Sequence, residues 1–176
     1  MSKALPKGGG ALCYVQGYER PAQAGPLPNS NHGSQGVTSD VATNRRQLTG
    51  NAGLYYVAWQ LSRRGWNVMP TSRNARGSDI FITDGDEQKW LGIQSKALSK
   101  RVAVPLGRSL EDLRSELWII TIHAVSETPV CYVMAVDEVK AEASQDKNGG
   151  AWWLEPRAYD RAEFKDAWGR IGGALP

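Results

Sequence analysis

Two alternating apolar segments flank an acidic turn at residues 78–98, and this pair constrains the fold more than any other feature of the chain. SDIFIT and KWLGIQSKAL have the two-residue period of strands, and DGDE between them is typical of a turn. A four-residue connection at residues 85–88 would place Asp79 opposite Gln94. The sequence therefore predicts an antiparallel hairpin of defined register.

Gln94 and Lys96 are polar residues in the middle of the second apolar segment. Residues two apart in a strand point to the same side of the sheet, so the register places Asp79, Gln94 and Lys96 together on one face. A carboxylate can hold a divalent metal, an amide oxygen can be a weaker ligand, and a lysine can position water or stabilise phosphate charge. A solvated sheet face is the alternative, but the neighbouring apolar residues argue against it.

The segment before the hairpin predicts a helix and a short strand. A stripe of apolar residues at helical spacing indicates a helix from about residue 47 to residue 64, and Gly65 suits its left-handed end. WNVMP then reads as a strand that ends at Pro70. The apolar stripe consists of Leu54, Val57, Ala58 and Leu61.

The segment after the hairpin predicts a second helix and further strands. Ser109 and Asp112 are typical of a helix N-terminus, with Leu110, Leu113 and Leu117 facing inward. WIITIHA and VCYVMAV then read as strands, the first of them buried on both faces.

The last quarter of the chain predicts smaller elements around this core. We expect a short helix near residues 137–143, an edge strand at AWWLEP, and a final helix that begins near Asp160 and Glu163. Its apolar face would comprise Phe164, Ala167, Trp168 and Ile171. The predicted fold class is therefore α/β, in the order helix, three strands, helix, strand, followed by extra strands and a terminal helix.

Length and composition predict one domain preceded by an arm. Residues 1–40 hold eleven Gly or Pro and little periodicity, so we interpret residues 1–43 as a loose N-terminal arm and residues 44–176 as a single domain. The spacing of Cys13 and Cys131 fits no metal or redox motif, which favours reduced thiols in a cytoplasmic protein. Nor is any apolar run long enough to span a membrane.

Charge is distributed unevenly along the chain. Residues 44–108 hold eleven Lys or Arg and four Asp or Glu, a net charge of +7, whereas residues 109–176 hold seven and twelve, a net charge of −5. The basic excess is mostly arginine, whose guanidinium matches phosphate, so it favours nucleic acid as a partner. A basic surface without a partner is the alternative.

GSDIFI and IQSKA, on a hairpin that follows a helix and a strand, resemble the PD-(D/E)XK nuclease superfamily over roughly residues 47–125. The similarity is to small members, Holliday-junction-resolvase-like or restriction-endonuclease-like, whose second motif is often Gln-x-Lys. It implies a restriction-endonuclease-like core with a mixed central sheet flanked by helices. It also implies a Mg²⁺- or Mn²⁺-dependent endonuclease that hydrolyses phosphodiester bonds in DNA. Members often act as dimers, so a homodimer is one expectation.

The resemblance assigns roles to residues of the hairpin. Asp79 matches the metal-binding aspartate, Gln94 occupies the usual acidic position, and Lys96 matches the lysine. Asp79 and Gln94 would then be metal ligands, and all three would be catalytic. We further expect basic side chains near the site to bind nucleic acid, namely Arg73, Arg76, Lys100 and Arg101.

The first helix departs from the pattern of the superfamily. Leu54, in GNAGLYY, stands where Gln-x-Lys members often carry glutamate. The departure favours an alternative in which the fold is kept while cleavage is weakened or lost, leaving a DNA-binding or protein-interaction module. A third interpretation is a structural subunit of a larger assembly, with the acidic C-terminal half as its contact surface.

Overall fold

The computed structural model describes residues 37–72 and 77–172 of the chain. Most of the predicted N-terminal arm, and both Arg73 and Arg76, lie outside the described residues. The helices and strands, in chain order, are α1 (Val37–Ser62), β1 (Asn67–Pro70), β2 (Ile80–Thr83), β3 (Trp90–Ala97), β4 (Val104–Gly107), β5 (Leu117–Ile122), β6 (Val130–Ala135), α2 (Val136–Ala141), β7 (Ser144–Gln145), β8 (Trp152–Leu154) and α3 (Pro156–Tyr159). Single 3₁₀ turns lie at Leu110–Asp112 and Trp168–Ile171.

The main sheet has five strands in the order β1-β2-β3-β5-β6. The pairing of β3 with β5 is parallel, whereas the other neighbours are antiparallel. All six residues of β5 are buried, which agrees with the continuous apolar run of its sequence. The predicted α/β class with a mixed central sheet is therefore confirmed.

The β2–β3 hairpin has the predicted register. Ile80 pairs with Ile93, so Asp79 lies opposite Gln94. The turn is held by the Asp84 carboxylate, whose Oδ1 accepts hydrogen bonds from the backbone N–H groups of Gln88 (2.8 Å) and Lys89 (3.2 Å). Local turn chemistry thus fixes which side chains of the two strands face each other.

Helix α1 begins at Val37, about ten residues before the predicted start, so residues 37–43 of the predicted arm are helical. Its end is as expected: Gly65 has a φ of 87°, and Trp66 N donates to Leu61 O at 3.3 Å, the bond of a glycine-terminated helix. Within the part of the chain that the structure describes, no helix is both long and apolar enough to cross a membrane.

Helix α1 covers one face of the main sheet, which we call the helix face. Val57 and Leu61 of α1 are fully buried there against the sheet. The strand residues of this layer are Ile80, Ile82, Ile93, Leu117, Ile119, Cys131 and Val133. Burial of about ten such side chains makes this layer a large source of folding free energy, at roughly 1.5–3 kcal/mol for each large apolar side chain.

The other face, which we call the opposite face, is covered over β5 and β6 by a second sheet and short helices. This sheet has the order β4-β8-β7. Trp118, Ile120 and Met134 of the main sheet pack there against Leu154 and Tyr159. Phe81 of β2, by contrast, is 43% exposed, so the opposite face is less fully covered at β2 than over β5 and β6.

Three predicted elements differ in the structure. The second helix is a single 3₁₀ turn that Ser109 caps by accepting from Glu111 N at 3.1 Å, because Leu113 is extended and Leu117 already belongs to β5. The final helix is likewise replaced, among the described residues, by turns and a 3₁₀ segment. Strand β8 is central in the second sheet, so the prediction of an edge strand was wrong. Of the predicted apolar face near the C-terminus, Phe164, Trp168 and Ile171 are nevertheless buried, and Ala167 is half-buried.

Candidate active site

Asp79 and Gln94 are joined across the hairpin. The side-chain amide of Gln94 donates a hydrogen bond from Nε2 to Oδ2 of Asp79. The backbone N–H of Ser95 donates to the same oxygen at 2.9 Å, and Asp79 N donates to Ile93 O at 2.9 Å. Asp79 is therefore anchored to β3 through both its backbone and its carboxylate.

Lys96 lies on the opposite face of β3, as Gln94 does. Ala97 contacts Gly53 of α1 and so marks the helix face, and alternation turns Gln94 and Lys96 the other way. The Lys96 Nζ lies 5.5 Å from the centre of the Trp118 ring, which belongs to the core of the opposite face. The sheet thus presents the polar ends of Gln94 and Lys96 on the side away from α1.

The surroundings of Lys96 perturb its ionisation. Burial lowers the pKa of the Lys96 amine below its usual value, because the charged form is desolvated, and the negative charge of Asp79 offsets part of that effect. Gln94, which lies two residues from Lys96 on the same face of β3, is itself hydrogen-bonded to Asp79. The structure therefore brings together the three hairpin residues that the sequence singled out, Asp79, Gln94 and Lys96.

Leu54 lines a cleft of about 260 Å³ between α1 and the end of the hairpin. Asp79 and Ser95 line the same cleft, so Leu54 does lie beside Asp79. It also packs, half-buried, against the helix-face core. An apolar side chain thus occupies the place from which a helix residue could have supplied a second carboxylate.

The hydroxyl of Ser95 is the least satisfied polar group of this cleft. Its Oγ is buried and has no hydrogen-bond partner among the described residues. The amide side chains of Gln47 and Asn51 line the cleft from α1. These groups can bind water, a phosphate oxygen or an ion, and the sequence interpretation did not include them.

A divalent metal would find few protein ligands here. Nowhere in residues 37–72 and 77–172 do three or more His, Cys, Asp or Glu side chains form a group that could hold a metal ion. Asp79 supplies one carboxylate, and because Gln94 uses Nε2 to bind Asp79, its Oε1 is the amide atom left for a ligand. Such a donor pair fits Mg²⁺, which is often held by one or two carboxylates together with waters and substrate phosphates.

The four predicted nucleic-acid-binding residues have different surroundings. Arg73 and Arg76 lie outside the described residues, so their placement stays a prediction. Lys100 is exposed and lines a second cleft, next to Ala97. Arg101 is half exposed, and its Nε donates to Oδ2 of Asp160, so a phosphate contact would be shared with that carboxylate.

Arg45 and Arg46 line the same second cleft as Lys100. The sequence interpretation counted them in the basic stretch but assigned them no role. Their position in the sequence could have indicated a role near the site, since RRQ lies one helical turn before the GNAGL segment. What the sequence did not show is that this part of α1 lies against the end of β3.

Comparison with known proteins finds similarity in structure alone. No protein-family model matches the sequence, and no curated protein matches it. A Holliday junction resolvase from Archaeoglobus fulgidus, an archaeal hyperthermophile, is 13% identical, with a TM-score of 0.44 over 63% of this chain and 87% of that chain. A bacterial homing endonuclease is 17% identical, with a TM-score of 0.50 over 71% of this chain and 91% of that chain. Together with the mixed sheet order, the second likeness shows that the chain has a restriction-endonuclease-like α/β fold.

Proposed function

We propose that this chain is a divalent-metal-dependent DNA endonuclease of the PD-(D/E)XK type, with Gln-x-Lys as its second motif. The observation that carries the proposal is the hydrogen bond between Gln94 and Asp79, with Lys96 two residues from Gln94 on the same face of β3. These three residues occupy the hairpin of a restriction-endonuclease-like fold, and each of them is half-buried. The exposed parts of the three side chains could therefore contact a phosphodiester.

Asp79 and Oε1 of Gln94 would hold Mg²⁺ or Mn²⁺ in this proposal. The ion, when bound, would polarise the scissile phosphate and lower the pKa of a water molecule. Lys96 would position the attacking water and stabilise the charge that develops on the phosphate. Burial against Trp118 suits this role, because electrostatic interactions are stronger in a partly desolvated site.

DNA would be bound largely through its phosphates. Arg73 and Arg76 flank the approach to Asp79 in sequence, and Lys100 lies at the end of the strand that carries Lys96. Such contacts release counterions, so affinity should fall steeply as salt rises. A homodimer would present two sites to the two strands of a duplex, and light scattering on the protein–DNA complex would test that arrangement.

The second candidate function is DNA binding without cleavage. Leu54 favours it, because an apolar side chain lines the cleft beside Asp79 where related proteins often carry an acid. One carboxylate and one amide are a weak metal site until a phosphate adds its oxygens. The two candidates share the DNA surface and differ only in turnover.

Incubation with supercoiled plasmid, single strands and a four-way junction, with and without Mg²⁺ or Mn²⁺, tests the proposal. Asp79→Asn and Lys96→Ala should each reduce cleavage, Lys96→Ala by roughly a hundredfold or more, as for loss of a group that transfers or orients protons. Asp86→Asn is the matched control, since Asp86 is an exposed acid at the far end of the hairpin. DNA bound in EDTA by a wild type that cuts none of these substrates would favour the second candidate.

A further inference from the structure

A cleft of about 540 Å³ lies between α1 and the segment that follows β3, and we call it the basic cleft. Three cations line it, Arg45, Arg46 and Lys100, and no acidic residue does. Among the acids whose side chains the structure describes, none forms a salt bridge with any of the three. The cleft therefore carries concentrated positive charge that the rest of the described protein leaves unneutralised.

The walls of the basic cleft are mainly apolar. Leu48, Leu98, Val102 and Val125 contribute to it, and Leu48 and Val125 are 56% and 62% exposed. A surface that served only the phosphates of a duplex would gain nothing from such walls, because phosphate contacts are made by charged and polar groups. Apolar walls with a cationic rim fit a ligand that has both an apolar ring and a phosphate.

The basic cleft adjoins the cleft at Asp79. Ala97 lines both clefts, and the two sets of α1 residues interleave between Arg45 and Leu54. Its volume lies within the range of sites that enclose a small molecule or one nucleotide, about 300–1,000 Å³. A ligand bound there would lie next to the cleft that Asp79 lines.

We infer that the basic cleft receives one unpaired nucleotide of the DNA substrate, adjacent to the bond that is cut. Its base would lie against Leu48 and Val125, and its phosphate would contact Arg45, Arg46 and Lys100. The inference rests on the proposed function and deepens it: the substrate class is DNA with a displaced or unpaired nucleotide, rather than an intact duplex. Enzymes that accept such a base gain selectivity, because an unpaired base costs little to remove from the stack.

Binding of two DNA probes in EDTA tests this, since no cleavage then complicates the measurement. One probe is a duplex with a single unpaired 2-aminopurine, and the other is the same duplex fully paired. Wild type should bind the unpaired probe roughly tenfold more tightly, because one base buries part of its apolar surface against aliphatic side chains. The 2-aminopurine emission should change on binding, because the base leaves the stack for the cleft.

Two tryptophan variants test whether the preference for the unpaired probe arises in the basic cleft. Val125→Trp should fill the cleft and abolish the preference while keeping the affinity for paired duplex. Thr128→Trp is the matched control, because Thr128 has nearly the same shape as valine, is exposed in the same loop and does not line the cleft.

Arg46→Ala should weaken binding of the unpaired probe more than Arg63→Ala, which removes a charge just beyond the other end of α1.

Equal affinity of wild type for the two probes would overturn the inference, and plasmid cleavage by the same protein would leave the proposed function standing. The inference would also be overturned if Val125→Trp and Thr128→Trp lost the preference for the unpaired probe to the same extent. Tight binding of polyglutamate without discrimination between the DNA probes would assign the cleft to an acidic peptide instead. A retained preference in a protein that, with Mg²⁺ or Mn²⁺, cuts neither plasmid nor the unpaired probe would support the cleft and reject the nuclease.

Discussion

Gly53 of α1 packs directly against Ala97 of β3, so closely that a Cβ added to Gly53 would overlap the Ala97 methyl group. This contact sets the separation between the helix and the hairpin. Leu54, the next residue, consequently lies beside Asp79 in the cleft. One glycine thus couples the position of the helix to the geometry of the candidate site.

Gly53→Ala should therefore destabilise the protein by about 1–2 kcal/mol, because overpacking outweighs the better helix propensity of alanine. Gly50→Ala is the control on the same helix, since nothing lies within 4 Å of a Cβ added there. We expect Gly50→Ala to stabilise by about 0.5–1 kcal/mol. Urea unfolding of the three proteins measures both changes, and a Gly53→Ala protein as stable as Gly50→Ala would contradict the contact.

Lys96→Met should make the protein more stable at neutral pH, because it removes a buried amine whose pKa is lowered in the folded state. The unfolded state then binds the proton more tightly, so wild-type stability rises with pH between the lowered pKa and the ordinary value of 10.5. The advantage of Lys96→Met should shrink across that window. Urea unfolding at pH 7, 8.5 and 10 measures it, and an advantage that is constant with pH would mean that Lys96 is solvated.

Leu54→Glu should tighten Mn²⁺ binding, because a second carboxylate would join Asp79 at the cleft. The same change should cost about 1–3 kcal/mol of stability in EDTA, since Leu54 packs against the helix-face core. Bound Mn²⁺ should restore part of the stability that Leu54→Glu loses in EDTA. Leu54→Gln is the control, because glutamine has the length of glutamate but carries no charge.

Calorimetric titration with Mn²⁺ and thermal melts with and without the metal measure these effects. Equal recovery of Leu54→Glu and Leu54→Gln in metal would show that the new carboxylate is not a ligand. Tight Mn²⁺ binding by the wild type would instead show that another group completes the site.

Arg101→Ala should lower stability, whereas Lys100→Ala should chiefly weaken DNA binding. Arg101 binds Asp160, whose other oxygen accepts a hydrogen bond from Tyr132 OH at 2.6 Å. The hydrogen bonds from Tyr132 and Arg101 hold the pKa of Asp160 below its usual value. Because Arg101 is half exposed, we expect a loss of no more than about 1 kcal/mol.

The stability difference between wild type and Arg101→Ala should be fully present near pH 7. It should be lost as the pH falls from the ordinary aspartate pKa of 3.8 through the lowered pKa of folded Asp160. Thermal melts across this range and gel-shift titrations of both variants separate the two roles. Equal losses of DNA affinity in Arg101→Ala and Lys100→Ala would show that Arg101 also contacts phosphate.

The hairpin was predictable because its geometry is set by neighbouring residues. Asp84 fixes the turn, alternation fixes the faces, and together they determine that Asp79 meets Gln94. The orientation of α1 was not predictable in the same way. It depends on the contact between Gly53 and Ala97, which lie far apart in the sequence, so no local sequence pattern predicts it.

The predicted helices after β3 and near the C-terminus were wrong for a different reason. Ser109 has the predicted capping interaction, but the chain needs the following residues for β5 and for a buried hydrogen bond between Ser115 and Ser78, at 3.0 Å. Tertiary pairing therefore overrides helical spacing. Near the C-terminus, Phe164 and Trp168 are buried although they lie in turns and a 3₁₀ segment rather than on one face of a helix. Their burial was therefore predictable from the sequence, whereas their backbone conformation was not.

The contrast between the hairpin and its parallel neighbour has a consequence for the order of folding. The β2–β3 pairing closes a short loop and can form within microseconds, whereas β5 reaches β3 only after the chain has passed through residues 98–116. Asp79 and Gln94 can therefore meet early. Lys96 is buried only when Trp118 arrives with β5, so its amine keeps an ordinary affinity for protons until the sheet is complete. The lowered pKa of Lys96 would thus be acquired only after the hairpin has formed.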